Sequence, residues 1–511
     1  MSVSHESLDR GSSASVAPDP RRWIVLGVVA ICQLMIVLDA SIVNIALPQA
    51  QHALDISTAN RQWVITAYTL AFGGLLLLGG RIADYRGRKR VFVIGLIGFA
   101  IASSLGGLAP NAGVLFGARA LQGAFAAVMA PAALSILAVT FTQAKERATA
   151  FGVFGGISGG GAAIGLIVGG VLTQYASWRW CLLVNTPIAI IAAIVALRVV
   201  TESRAEGEAH FDLAGAGTVT LGLVSLVYGF TKADTAGWSA GSTIAFLAVA
   251  VVLLVSFVVI EARTAHPLLP LRVVLERNRG GSFLVSFLVA GGLFGMFLFL
   301  TYYLQGTLHY SALKTGFAFL PFSAGIVAGA TIASRLIGRA GPRNLMTFGL
   351  VISVLGLLWF ARIGVAPAYL VHVLPAEIVV SVGIGIVFVT LSSTALLGVA
   401  DHDAGVASAL VNATQQVGGS LGTALLNTFA AAATATYLTS HVHAVQASLV
   451  HGYHVAFYIS AAVLAFGAVS SQLLVRAGVQ DLRAVDPAVP AGMAESGETL
   501  ALGDEEVQPR A

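Results

Sequence analysis

The sequence predicts an all-α membrane protein of about fourteen spanning helices, built as two six-helix halves with two extra helices inserted between them. Three observations predict this. Of its 511 residues 57% are hydrophobic and only 10% charged, with 57 glycines, a composition suited to a bilayer rather than to water. Apolar runs of the roughly 20 residues needed to cross about 30 Å of hydrocarbon recur from Ile24 to Val475 with short polar gaps. Two distant loops also share one residue pattern.

Taken in order, the first eight runs are 24–47, 62–80, 91–109, 113–139, 149–172, 180–200, 213–231 and 242–260. The remaining six are 282–304, 315–337, 344–361, 368–397, 404–431 and 452–475. Residues 1–22 read as a polar tail without a short apolar core and small-residue cleavage site, so the first span is expected to stay as an uncleaved anchor. Residues 23–200 form the first expected half, 201–265 the inserted pair with flanking loops, and 266–476 the second half. The 477–511 tail, polar and acidic towards its end, is expected to be disordered. Cys32 and Cys181, the two cysteines of the chain, fall in apolar runs and read as packing residues.

If the amino terminus is cytoplasmic, inside loops hold sixteen lysines and arginines, from Arg81 to Arg343. Outside loops hold five, Arg61, Arg179, Lys232, Lys314 and Arg362. That asymmetry puts both termini in the cytoplasm by the positive-inside rule. The net charge of +4 therefore finds a sufficient partner in lipid phosphate, and no nucleic acid is expected.

The repeated loops are "GRIADYRGRKR", Gly80 to Arg90, and "SRLIGRAGPRN", Ser334 to Asn344. Arg81 matches Arg335, Gly87 matches Gly341, and Lys89 matches Arg343 at one constant offset. Two related halves with a site between them at mid-membrane are the usual build of secondary transporters. The pair 213–231 and 242–260 is then left over as the insertion.

The residues carry a further likeness. Gly80-Arg-Ile-Ala-Asp84-Tyr-Arg-Gly87-Arg88-Lys89, Arg119-Ala-Leu-Gln122-Gly123, Leu38-Asp39-Ala-Ser-Ile-Val-Asn44-Ile-Ala-Leu-Pro48, Trp178-Arg-Trp180 with Asn185 and Pro187, and "AGVASALVNATQQVGGSLG" from Ala404 to Gly422 follow one another in order. Together they resemble the fourteen-span drug:proton antiporter branch of the major facilitator superfamily. The resemblance implies a major facilitator fold and proton-driven efflux, with Gly80, Asp84, Gly87, Arg88 and Lys89 as a cytoplasmic latch that holds the outward-facing state. Without the resemblance, that loop reads as an orientation signal with a carboxylate at a helix end. Leu166 departs from the pattern, standing where the fifth-span antiporter motif carries proline, although the glycines around it are kept.

Asp39 carries the chemistry that can be argued from residues alone. A carboxylate in hydrocarbon costs roughly 2.5 kcal/mol or more, so it faces the bundle interior and serves a pathway or a partner. At 1.5 Å per residue, Asp39 lies roughly 12 Å from the outer end of its span, Arg119 roughly 9 Å and Glu377 roughly 13 Å. All three can reach one central cavity, the alternative for Glu377 being a place near the interface beside His372. Burial disfavours a charged carboxylate and a nearby arginine favours it, and this competition would let Asp39 gain and lose a proton. The alternative is a fixed Asp39–Arg119 pair that only holds helices together.

Gln122, one turn from Arg119, can orient the guanidinium or touch cargo. Asn44, Gln415 and Gln416 are further cavity candidates, with interhelical hydrogen bonding the alternative for Asn44 and its neighbour Ser41. Gly152, Gly156 and Gly160 form one row at helical spacing, and Gly161, Gly165 and Gly169 another, with Gly170 beside it. Glycine rows let helices approach closely in lipid, either as static packing or as a sliding interface. His441, His443, His451 and His454 cluster near the last outside loop. They can bind metal or sense pH, but solvated histidines are the commoner case and no metal site is expected.

A membrane enzyme using a polyprenyl or nucleotide-sugar donor would need clustered carboxylates for Mg²⁺. The close pair here, Asp401-His402-Asp403, sits in a short loop. No GxxxxGK[ST] phosphate loop appears, which argues against ATP-driven pumping. A polar-nutrient importer would carry more hydrogen-bonding side chains than this alanine-, glycine- and phenylalanine-rich interior. The expected protein is a monomeric, multi-pass transporter of the cell membrane that exchanges protons for amphipathic or hydrophobic small molecules and needs no cofactor. A host-made metabolite or lipid is the alternative cargo.

Overall fold

The computed structural model describes residues 21–204, 212–265, 267–365, 369–399 and 404–481. Most of the tail expected to be disordered, and the Asp401-His402-Asp403 loop, lie outside the described residues. The first half contains α1 (Arg22–Ala53), α2 (Trp63–Arg86), α3 (Arg88–Gly107), α4 (Ala112–Thr140), α5 (Ala144–Tyr175), α6 (Trp180–Leu183) and α7 (Asn185–Val199). The inserted hairpin is α8 (Leu213–Ala236) and α9 (Gly241–Arg263). The rest comprises α10 (Leu271–Val274), α11 (Arg277–Tyr302), α12 (Ala312–Ala318), α13 (Leu320–Ala340), α14 (Pro342–Phe360), α15 (Leu374–Leu396), α16 (Ala404–Ser440) and α17 (Val445–Leu474).

Proline explains where expected single spans divide. Pro187, Pro321 and Pro375 lack the N–H that would bond back one turn. The α6–α7 break, the α12–α13 break and the π turn at Tyr369–Val373 lie within that turn. Thirteen stretches among the described residues are long and apolar enough to cross a membrane. The expected span at 404–431 is α16, a 37-residue helix carrying Asn412, Gln415, Gln416 and Asn427.

Crossing helices alternate in direction, so one face of the bundle carries the α2–α3 turn. This is called the motif face, and the opposite one the far face. The repeat is visible in the backbone of the motif face. Gly87 and Gly341 both take positive φ, +108° and +76°, a region that favours glycine. Lys89 Nζ donates to Leu197 O at 2.8 Å, and its repeat partner Arg343 donates through Nη2 to Gln472 O at 2.8 Å. Each cation thus sits at the carbonyl end of the last helix of its own half, where the helix dipole favours positive charge.

The halves are joined at the far face. Gln305 Nε2 donates to Ile45 O at 3.0 Å, the Leu313 N–H donates to Gln174 Oε1 at 3.2 Å, and the Tyr302 hydroxyl donates to Gln51. Two glycines bring α5 against α12. A Cβ on Gly316 would stand 2.4 Å from Leu166 O, and one on Gly170 would stand 2.8 Å from Leu313 Cα. α5 itself runs unbroken through Leu166.

Towards the motif face α5 loses these neighbours. The row at Gly161, Gly165 and Gly169 packs on Val37, Leu38, Ser41 and Ile42 of α1, with Gly165 so close that a Cβ would meet Ser41 Oγ at 2.0 Å. The expected second row behaves differently. A Cβ on Gly152, Gly155 or Gly156 would meet nothing within 4 Å. The Gly152–Gly156 row is therefore not a packed interface in this state, because no partner helix stands opposite it.

Candidate functional site

Five helices of the first half contribute six polar side chains to one buried cluster around the Asp39–Arg119 pair. Asp39 comes from α1, Tyr68 from α2, Ser103 from α3, Arg119 and Gln122 from α4, and Asn185 from α7. All are at most 1% exposed. Arg119 Nη1 pairs with Asp39 Oδ2 at 2.6 Å. It also donates to Gln122 Oε1 at 2.9 Å, while Nε donates to Val64 O at 2.9 Å. The guanidinium carbon lies 4.5 Å from the Tyr68 ring centroid, a cation–π distance.

The other Asp39 oxygen accepts from Gln122 Nε2 at 3.1 Å and from Asn185 Nδ2 at 2.9 Å. Ser103 Oγ accepts from the same two amides, at 2.7 Å and 3.3 Å. A buried ion pair is tolerable only when its remaining donors and acceptors are satisfied. Here the carboxylate accepts from three side chains. Gln122 is spent on these bonds and does not face an open cavity. The Tyr68 hydroxyl and Asn185 Oδ1 have no hydrogen-bond partner among the described residues.

Tyr68 and Ser103 belong to none of the sequence motifs, and Asn185 belongs to one only beside Trp178 and Trp180. Their signal is faint. A lone serine or asparagine in an apolar run reads the same whether it bonds its own helix or a neighbour. Asn44 is a case of the first kind, since its Nδ2 donates to Ala40 O at 3.1 Å.

Glu377 stands in the second half and shares no hydrogen bond or ion pair with the Asp39 cluster among the described residues. It is fully buried in the first turn of α15. The Tyr369 hydroxyl donates to Ala318 O at 2.7 Å and stands 3.5 Å from Glu377 Oε2, and Oε1 has no hydrogen-bond partner among the described residues. Gln415 and Gln416 are half-buried on α16. The Gln416 Cβ lies against Gly73 of α2, 2.9 Å from where a Cβ on that glycine would stand.

In the loop motif, Asp84 pairs with Arg88 at 3.1 Å, four residues on. Glu202 caps α3, accepting from the N–H groups of Lys89 and Arg90 at 3.1 Å each, and Ser203 O accepts from the Arg88 N–H at 3.0 Å. A side chain on Gly87 would begin 2.7 Å from the Glu202 carboxylate. A Cβ on Gly80 would stand 3.5 Å from Pro131 of α4. Arg81 Nη2 reaches the Pro267 carbonyl at 2.6 Å, in the link to the second half.

At the far end of α16 and α17, His441 stacks on Tyr437 at 4.2 Å between ring centroids, and His451 lies 4.7 Å from the same ring. His454 Nε2 is 2.6 Å from Ile363 O. No group of three or more metal-ligating side chains occurs among the described residues.

Residues 29–423 match the Major Facilitator Superfamily. The chain is 50% identical over 471 residues to "Puromycin resistance protein pur8" of Streptomyces alboniger, covering 91% of this chain and 93% of that protein. It is 38% identical over 398 residues to "Cephamycin export protein CmcT" of Amycolatopsis lactamdurans, covering 77% and 82%. Among solved structures, a bacterial homolog of the human lysosomal transporter Spinster, inward-facing and occupied, superposes with a TM-score of 0.67 at 15% identity. That match covers 91% of this chain and 99% of the other, and it is a likeness of fold.

Proposed function

The chain belongs to the Major Facilitator Superfamily as a multi-pass membrane transporter, and we propose that it exports amphipathic or hydrophobic small molecules, antibiotics among them, by proton-driven alternating access. The observation that carries this reading is the uneven contact between the halves. They are joined through α5 and α12 at the far face, while nearer the motif face Gly152, Gly155 and Gly156 of α5 look onto open space. Rocking one half against the other about a central site would close that space and part the α5–α12 contact. The resistance and export relatives give the class of cargo.

The motif face is cytoplasmic, with both termini on that side, as the arginine and lysine asymmetry favours. The state described here is then inward-facing. Asp39 carries the exchanged proton, since it is the ionisable carboxylate of the first half that is both buried in a span and paired to a cation. Protonation would release Arg119 and Gln122 to rearrange, and deprotonation would restore their bonds. Glu377 is a second carrier in the other half. The loop motif is the latch of the opposite state, in which Asp84 exchanges Arg88 for a partner across the closed motif face. The transporter works as a monomer and draws on the proton gradient alone.

A transport and susceptibility panel in a pump-deficient host tests the function. Expression should raise resistance to several amphipathic compounds, and collapsing the proton gradient should abolish their efflux. Resistance unaffected by loss of the gradient would refute proton coupling. Uptake of a polar nutrient with no change in resistance would refute export.

A further inference from the structure

The inserted hairpin lies across the seam between the halves. Leu223 and Val227 of α8 pack with Leu70 of α2 and Ala424 of α16 in one buried cluster. Thr220 of α8 also sits against Gly74 of α2, where a Cβ would meet its hydroxyl at 2.8 Å. A helix held by both halves must slide on at least one of them whenever they rock.

At the far face this contact becomes a directional chain of hydrogen bonds. Arg61 Nε donates to Asn427 Oδ1 at 3.0 Å. Asn427 Nδ2 donates to Thr58 O at 3.0 Å and to Gln62 Oε1 at 2.7 Å. Gln62 Nε2 donates to Thr231 Oγ1 at 3.1 Å, and the Thr231 hydroxyl donates to Val227 O at 3.1 Å. Thr428 of α16 adds a bond to Phe230 O at 3.1 Å. Arg61, Gln62, Thr231 and Asn427 are all buried. Arg61 begins the chain as a pure donor, and this polarity fixes the orientation of both amides.

We infer that the inserted hairpin is a third jaw of the far-face gate, with Thr231 and Gln62 as positioning residues that hold α8 to the first half while Asn427 holds that half to the second. Opening the far face to release cargo then requires the whole chain to part, and its groups to be taken over by water. The inference rests on alternating access as proposed above. Removing the Thr231 hydroxyl leaves the Gln62 amide unpaired only while the gate is shut, because water can serve it once the gate opens. The variant therefore favours opening by about five-fold, the ratio that one neutral hydrogen bond is worth.

Spin labels at His52→Cys and Thr439→Cys, both exposed near the far face on opposite halves, read the gate by electron–electron distance measurement in the full-length protein. The native Cys32 and Cys181 are buried. Thr231→Val should enlarge the long-distance population about five-fold. Thr235→Val, whose hydroxyl bonds within α8 to Thr231 O and Lys232 O, should match the parent. A Thr231→Val distribution identical to the parent, even with lower thermal stability, would overturn the inference and leave the chain a static tie. The labelled parent at two pH values tests alternating access separately, since that reading requires two populations that exchange.

Discussion

Replacing Asp39 by asparagine is not a gentle change in this site. The three side chains bonded to the carboxylate are all donors, Arg119 Nη1 at 2.6 Å, Asn185 Nδ2 at 2.9 Å and Gln122 Nε2 at 3.1 Å. An asparagine must point its NH₂ group at one of them. Gln122 cannot relieve this by turning over, because its oxygen accepts from Arg119 and its nitrogen donates to Ser103. Arg119, 1% exposed, would also lose its counter-charge, and removing one partner of a buried pair costs about 3–5 kcal/mol. Asp39→Asn should therefore lower thermal stability as well as uphill transport. Asp39→Asn combined with Arg119→Gln removes both charges and should be less destabilised than the sum of the single changes by up to about 3 kcal/mol. The assay is cargo accumulation in vesicles with an imposed pH gradient, expressed per folded molecule, beside thermal unfolding of each variant. The double variant should recover stability without recovering uphill transport, because an amide cannot cycle between charged and neutral forms. If it accumulated cargo against a gradient at close to the parent rate, Asp39 would not be the obligatory proton carrier. If Asp39→Asn were as stable as the parent, the burial argument would fail.

Three further outcomes are expected. Asp84→Asn should impair cycling while costing no more than about 0.5 kcal/mol, since its partner is a part-exposed charge one turn away; transport at the parent rate would reduce the loop to an orientation signal. Gly316→Val should block transport with expression retained, because its side chain would begin 2.4 Å from Leu166 O and the α5–α12 contact could not form; undiminished transport would show that this contact plays no part in the cycle. A cysteine at Ser239, exposed in the turn of the inserted hairpin, should be labelled from outside the cell. Labelling only from the cytoplasm would overturn the proposed orientation.

Span number, the internal repeat and the depth of the polar residues are local properties, and the sequence alone determines them. Length and apolarity are enough to mark a crossing helix. A glycine that must take positive φ leaves its mark at both Gly87 and Gly341. Rise per residue puts Asp39 and Arg119 at matching depth, and the structure has them 2.6 Å apart. Depth says nothing about which helices are neighbours. Glu377 matches the same depth and stands in the other half with Tyr369. Ser103 and Asn185 reach Asp39's cluster only because α3 and α7 pack beside α1 and α4. The two glycine rows of α5 are alike in spacing, yet one meets α1 and the other meets nothing. In water an amphipathic stripe would have told such faces apart. In a bilayer the lipid side of a helix is as apolar as the protein side, so the pattern is degenerate, and only the tertiary arrangement decides which residue meets which partner and where α8 lies across the seam.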